Sequence, residues 1–248
     1  MISHIRKEIE NNIAFLVIDR PEKMNALNTE ILKDLFNCLD ALDQDDEIRV
    51  VVIRGKGEKA FIAGADIKEL AGMGAYDYRK FGMLFTRISE KIMNLSKPVI
   101  AAVNGVAYGG GCLIAISCDL VVADERAKFG FQEVNLGFMG STGLLPKLVG
   151  KHRAAELTML GGTMGAREAN QMGLVNRVTD IGALDSVVKS ICGRLMSQSQ
   201  IALQLIKRSL LVSLEAGLSV SSRYETELSS ICVAGNSAQQ RISGYLKK

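Results

Sequence analysis

Hydrophobic positions in this chain fall into short runs separated by polar or glycine-containing breaks, and the spacing inside each run names an element. Ile13 to Ile18 is an unbroken apolar run, long enough for a buried strand and too short for a helix. The turn Arg20-Pro21-Glu22-Lys23-Met24-Asn25-Ala26-Leu27 follows it. Asn28 then stands at a helix N-cap position ahead of Ile31, Leu32, Leu35, Phe36, Leu39 and Leu42, which recur with a period of about 3.6 residues. Val50 to Ile53 predicts a second buried strand, closed by Gly55-Lys56-Gly57. Tyr78, Phe81, Leu84, Phe85, Ile88, Ile92 and Leu95 predict a long amphipathic helix that ends before Pro98.

Val99 to Val103, Val106 to Tyr108 and Leu120 to Ala123 predict further strands. Each runs into a glycine-containing loop and not into a tight Asn-Gly hairpin, so long crossovers and an α/β layout are expected. Past Val178 the pattern is helical only, roughly Ala183 to Met196, Ile201 to Glu215, Ser219 to Ala234 and Ala238 to Leu246. The expected organisation is a core over residues 1–180 and a helical C-terminal domain over 181–248, whose apolar positions serve a neighbouring subunit as readily as their own core.

One segment imitates a membrane span. Pro98 to Cys118 carries no charge and reaches the ~20 residues that a bilayer crossing needs. Asn104-Gly105 and Gly109-Gly110-Gly111 break any continuous helix there, and unpaired backbone at such breaks is costly in lipid. The segment therefore reads as a buried strand, a turn and a buried helix. Composition agrees with a globular chain, 48% hydrophobic and 23% charged over 248 residues. The net charge of +3 is spread among acidic residues, which leaves no footprint for nucleic acid or an anionic membrane. Cys38, Cys112, Cys118, Cys192 and Cys232 sit mostly among apolar residues without metal spacing, and read as reduced core thiols with no metal. Met1 to Glu10 lacks the apolar stretch of a secretory signal, so the expected compartment is the cytoplasm.

Two glycine-rich loops carry the candidate chemistry. In Phe61-Ile62-Ala63-Gly64-Ala65-Asp66-Ile67-Lys68-Glu69 small residues let a ligand approach backbone donors closely. In Asn104-Gly105-Val106-Ala107-Tyr108-Gly109-Gly110-Gly111-Cys112-Leu113 a strand and a glycine turn feed an apolar helix, whose start presents unpaired N–H groups and a partial positive charge to a developing oxyanion. Neither loop has phosphate-loop or dinucleotide-binding spacing.

These two loops together with Arg20 to Leu27, in this order and spacing, resemble the enoyl-CoA hydratase/isomerase (crotonase) family, and the likeness runs over essentially the whole chain. Phe129-Gly130-Phe131-Gln132-Glu133-Val134-Asn135-Leu136-Gly137 extends it, as does Ala166-Arg167-Glu168-Ala169 leading into Gly173-Leu174-Val175. The resemblance implies a ClpP-like spiral of ββα units with a helical C-terminal trimerisation region, packed as a homotrimer or as a hexamer of two trimers. It implies an oxyanion hole made by the N–H groups of Ala65 and Gly110, and a place in fatty acid metabolism. Contacts to coenzyme A are implied for Glu22, Lys23, Met24 and Ala26 and for the backbone of Ala63, Gly64, Asp66, Ile67 and Lys68, with Lys23 and Lys68 towards the nucleotide phosphates. Coenzyme A arrives as part of an acyl-CoA substrate, so no separate cofactor is implied. By family precedent the tail Arg241 to Lys248, with Tyr245, Lys247 and Lys248, reaches a neighbour's adenine pocket.

Family hydratases hold one water between two glutamates. Here Glu133 matches the second, while the first position, three residues after Gly110, is Leu113; Ser141 stands where the dienoyl-CoA isomerase branch has an aspartate. Phe129, Phe131, Val134, Leu136 and Phe138 are expected to desolvate Glu133, and burial makes a carboxylate a stronger base. One base suffices for an allylic shift, so the expected reaction is double-bond isomerisation of an enoyl-CoA by Glu133, as in the Δ3,Δ2-enoyl-CoA isomerase branch. Hydration of a 2-enoyl-CoA or of a cyclic dienoyl-CoA is the alternative, with a specialised decarboxylase behind it. A non-catalytic CoA- or RNA-binding scaffold is the rival of another class, and the retention of Glu133 counts against it. His152, between Lys151 and Arg153, reads as a surface residue at a helix start, and no Gly-x-Ser-x-Gly nucleophile elbow is present.

Overall fold

The protein is described by a computed structural model over residues 4–140 and 142–246. Its strands, in chain order, are β1 (Ile5–Glu10), β2 (Ile13–Ile18), β3 (Val50–Gly55), β4 (Ala60–Ile62), β5 (Val99–Val103), β6 (Val106–Tyr108), β7 (Leu120–Asp124), β8 (Lys128–Gly130), β9 (Thr163–Gly165) and β10 (Arg177–Thr179). A larger sheet has the order β1-β2-β3-β5-β7-β10 and a smaller one β4-β6-β8-β9. β3 to β4, β5 to β6 and β7 to β8 each step from the larger sheet to the smaller one, and helices carry the chain back. This repeated step is the expected spiral of ββα units. Pairing within the larger sheet is parallel except between β1 and β2.

The unbroken apolar runs are explained by burial on both faces of the larger sheet, as parallel sheets require. Alternate residues of β2 and β3 divide between two clusters. Ala14, Leu16, Ile18, Val51 and Ile53 face the main core, with Leu32, Leu35 and Leu39 of helix Thr29–Gln44. Ile13, Phe15, Val17, Val50 and Val52 face the other way, against Leu184, Val188 and Cys192 of helix Leu184–Met196. Asn28 caps the helix as its sequence position predicts, its Oδ1 accepting from Ile31 N–H at 2.9 Å. β1 is one of five strands that periodicity does not announce, with the three-residue strands β4, β8, β9 and β10: only Ile5 of its six residues is buried. It is a charged edge, which discourages further strand pairing.

The Asn104-Gly105 break is a corner between sheets. Asn104 Nδ2 donates to the Gly55 carbonyl at 3.0 Å, and a side chain at position 105 would begin 2.4 Å from the Lys59 carbonyl. No helix among the described residues is long and apolar enough to cross a membrane. All five cysteines are free thiols, and burial pushes Cys192 up to about 11 and Cys112 and Cys118 higher still.

Beyond the sheets come helices Gln200–Ser213, Leu218–Ala234 and Asn236–Leu246, on which Ile206, Leu210, Leu218 and Val220 are exposed. Buried Lys207 ties this region to the core, its Nζ donating to the Asp119 carboxylate at 2.7 Å and to the carbonyls of Ile92 and Lys97 at 2.8 and 3.1 Å. Asp119 also accepts from Val99 N–H at 2.7 Å and so links β5 to the same lysine. Lys207→Met strands these acceptors. It is expected to lower stability by about 2 kcal/mol, read from the midpoint of a urea unfolding curve.

Candidate active site

The turn after β2 and the loop after β4, distant in sequence, form one backbone ladder. Ala63 N–H donates to the Met24 carbonyl at 3.1 Å, Leu27 N–H to the Gly64 carbonyl at 2.8 Å and Asp66 N–H to the Leu27 carbonyl at 2.8 Å. In such a parallel bridge the residue between the two bonded peptides turns its own amide away from the partner strand. That residue is Ala65. Gly64 at φ +93 and Asn25 at φ +58 supply the left-handed turns, and buried Asn25 donates to the Ala60 carbonyl at 2.8 Å. Asp66 begins the short helix Ile67–Leu70, its carboxylate accepting from Lys68 N–H at 3.0 Å and pairing with Arg20 at 2.7 Å. Partial burial works to raise the Asp66 pKa, but the Arg20 guanidinium and the Lys68 amide outweigh it and hold the carboxyl below the usual range.

The second loop starts helix Gly110–Ser117, in which Gly110 is the first residue and its N–H precedes any intrahelical acceptor. Among the described residues neither Ala65 N–H nor Gly110 N–H donates to a protein acceptor. Glycine is required here on steric grounds. Gly109 sits at φ +50, a Cβ on Gly110 would fall 2.3 Å from the Phe85 ring, and one on Gly111 would fall 2.1 Å from the Ile62 carbonyl oxygen.

Both amides border a cavity of about 420 Å³, and so does Glu133. Helix Ala75–Asn94 supplies Tyr78, Phe81 and Phe85 to its wall, and the 3-10 turn Glu133–Leu136 with the residues after it supplies Glu133, Phe138 and Gly140. The carboxylate of Glu133 lies in a slot between two glycines. A Cβ on Gly109 would be 3.4 Å from Glu133 Oε1, and one on Gly140 would be 2.4 Å from it. The ring of Tyr78 stacks on Phe138 with centroids 5.1 Å apart, and the Phe138 N–H donates to the Glu133 carbonyl at 3.0 Å. Burial and then the charge of Glu133 raise the Tyr78 pKa, so its phenol is a neutral hydrogen-bond donor at ordinary pH. No group of three metal-ligating side chains occurs among the described residues.

A model of the family described as enoyl-CoA hydratase/isomerase matches residues 8–248. The chain belongs to the enoyl-CoA hydratase/isomerase family. It is 35% identical to the short-chain-enoyl-CoA hydratase of Clostridium acetobutylicum, over 100% of this chain and 96% of that protein. It is 37% identical to the crotonyl-CoA hydratase of Syntrophomonas wolfei, over 97% and 94%. A crystal structure of enoyl-CoA hydratase from Bacillus anthracis superimposes with a TM-score of 0.94 at 30% identity, covering 98% of this chain and 96% of that one. One from Thermoplasma volcanium gives 0.93 at 32% identity, covering 98% of each. All four are named hydratases, so the expected preference for isomerisation finds no support in these relatives.

Within this member of the family, Ala63, Gly64, Ala65, Ile67, Gly110, Leu113 and Glu133 come together around the one cavity. Glu22, Lys23, Met24 and Ala26 are not on its wall, nor are Asp66 and Lys68; Met24 adjoins it through the backbone ladder, and Glu22, Lys23 and Lys68 are exposed. Glu133 is less enclosed than its neighbours imply: Phe129 and Phe131 are buried, but Val134, Leu136 and Phe138 are exposed. Leu136 and Phe138 nonetheless line the cavity, so their exposure is at its open side. Ser141, Lys247, Lys248 and the Tyr245 side chain lie outside the described residues. Tyr78, Phe81 and Phe85 were legible only as one face of a helix, and Gly140 had no motif to mark it. Because a methyl group on Gly110 would drive Phe85 off its seat, Gly110→Ala is expected to cost about 1–3 kcal/mol of stability, measured by urea unfolding.

Proposed function

We propose that the chain adds water across the C2–C3 double bond of a 2-enoyl-CoA thioester. The observation that carries this reading is the convergence of two unused backbone donors, Ala65 and Gly110, with one carboxylate, Glu133, on a single largely apolar cavity. The names of the relatives support hydration over migration of the double bond. The thioester oxygen accepts from both amides. As a water oxygen bonds to C3, Glu133 takes one of its protons, and the π electrons move through C2 onto the thioester oxygen. The negative charge that develops there is stabilised by the two N–H groups, each worth roughly 2.7–4 kcal/mol by analogy with other oxyanion holes. The helix N-terminus at Gly110 adds a favourable field. Glu133 then returns the proton to C2 as the carbonyl re-forms. Water has been added, and the carboxylate is regenerated. The glycines at 109 and 140 leave room for the carboxylate between the two loops.

A second reading is favoured by Leu113, which lies on the cavity wall and exchanges no proton. Without a second acid, Glu133 removes a C2 proton from a 3-enoyl-CoA and returns it at C4, moving the double bond into conjugation. Incubating 2-enoyl- and 3-enoyl-CoA with the enzyme in deuterated water separates the two. Accumulation of 3-hydroxyacyl-CoA supports hydration, whereas 2-enoyl-CoA formed from the 3-enoyl isomer without hydroxyacyl product supports migration and overturns the first reading. Under either reading Glu133→Gln is expected to lower turnover about 10²- to 10⁴-fold while leaving the dissociation constant of a CoA thioester within about twofold. Unchanged turnover would remove Glu133 from the mechanism. Leu113→Glu, which supplies a second acid, is expected to raise the hydration rate relative to proton exchange in the same assay.

A further inference from the structure

The chain holds eight phenylalanines, five tyrosines and no tryptophan. Five of those rings, Tyr78, Phe81, Phe85, Tyr108 and Phe138, border the one cavity that holds Glu133 and the two free amides. Aliphatic side chains bury a straight acyl tail as well as aromatic ones do, so the concentration of rings calls for a different reason. Their arrangement supplies one. Phe81 and Phe85 meet edge to face, with centroids 5.4 Å apart and planes at 75°. Tyr78 and Phe138 lie nearly parallel, with centroids 5.1 Å apart and planes at 15°. Phe85 packs directly against Gly110, so an acyl group whose carbonyl rests on the Gly110 amide begins beside an aromatic ring. Rings at these separations pair with a further flat π system in offset or edge-to-face contact, and a flexible saturated chain has no such geometry.

We propose that this cavity selects a flat, ring-bearing conjugated acyl group, a cycloalkenyl or aryl thioester of coenzyme A, over a long straight chain, a proposal that rests on the reading above that the substrate is a conjugated enoyl-CoA. Phe138 is its specificity-determining residue. It stands opposite the helix that carries Tyr78, Phe81 and Phe85, in the segment that follows Glu133, and its ring closes the aromatic wall without belonging to the acid or to the amide pair.

The test compares kcat/KM for hydration of crotonyl-CoA, trans-2-decenoyl-CoA and cyclohex-1-ene-1-carbonyl-CoA by the full chain and by Phe138→Leu, which keeps an apolar side chain and removes the ring. Tyr78→Leu provides the same comparison should Phe138→Leu fail to fold. The expected result is a cyclic thioester favoured over the decenoyl one by about tenfold or more, with that advantage reduced about tenfold by loss of the ring. Hydration of crotonyl-CoA with the decenoyl thioester preferred, with the cyclic thioester refused, or with an unchanged ratio in the variant overturns the proposal and leaves the hydratase reading standing. No hydration of any of the three overturns the hydratase reading and the proposal with it.

Discussion

Leu27 takes both hydrogen bonds that flank Ala65, accepting from Asp66 and donating to Gly64. The consequence is a peptide N–H on the wall of a cavity with no protein acceptor among the described residues. Most buried amides are paired, because an unpaired one costs about as much as a lost hydrogen bond. This one is left over by the geometry of a parallel bridge between a turn and a loop, held from outside by Asn25 and by the Arg20–Asp66 ion pair. A helix beginning at Gly110 leaves a second N–H in the same condition. Neither donor depends on a side chain. Both depend on the two-sheet spiral that brings the end of β4 beside the end of β6.

The space in front of these donors is kept by glycines, and each has a named neighbour. Gly111 lets the helix settle on Ile62, Gly110 lets Phe85 lie beneath the loop, and Gly109 and Gly140 face the Glu133 carboxylate from two sides. The carboxylate is therefore located by backbone from two loops as much as by its own side chain. The helix that contributes the aromatic wall is itself anchored by a buried face, with Ile88 and Ile92 in the main core. Rigid packing behind the cavity and exposed side chains on its wall, at Leu136 and Met139, thus lie close together.

Leu113 sets the terms of the chemistry. One turn of helix from Gly110, it occupies the cavity wall with carbon only, so under the proposed function Glu133 is the group that both takes and returns the proton. Water addition and double-bond migration share the enolate and the oxyanion hole, and differ in whether oxygen or hydrogen bonds to the far carbon. Family membership leaves both open, and the names of the relatives weigh towards water. The substitution at 113 weighs the other way, a tension that arises because the scaffold is common to both reactions while the acid is one residue.

Much of this was legible in the chain. Ile13 to Ile18 and Val50 to Ile53 had to be strands buried on both faces, and Asn28 had to cap the helix that follows it, because apolar period and capping chemistry are local. Glu133, Ala65 and Gly110 were singled out by motifs whose spacing is fixed along the backbone. The charged strand Ile5–Glu10 was not legible, since an edge strand is recognised by its partner and not by its own pattern. Nor was the aromatic wall: Tyr78, Phe81 and Phe85 share a helix face with core residues, and one period describes both. Phe138 and Gly140 become part of the site only when the segment after Glu133 folds back across that helix. The sequence by itself determined the apolar strands, the cap at Asn28 and the motifs that mark Ala65, Gly110 and Glu133 as candidates, because these are set by neighbours in the chain. Which side chains face the acid was decided by the tertiary structure, because that depends on contacts between segments far apart in sequence.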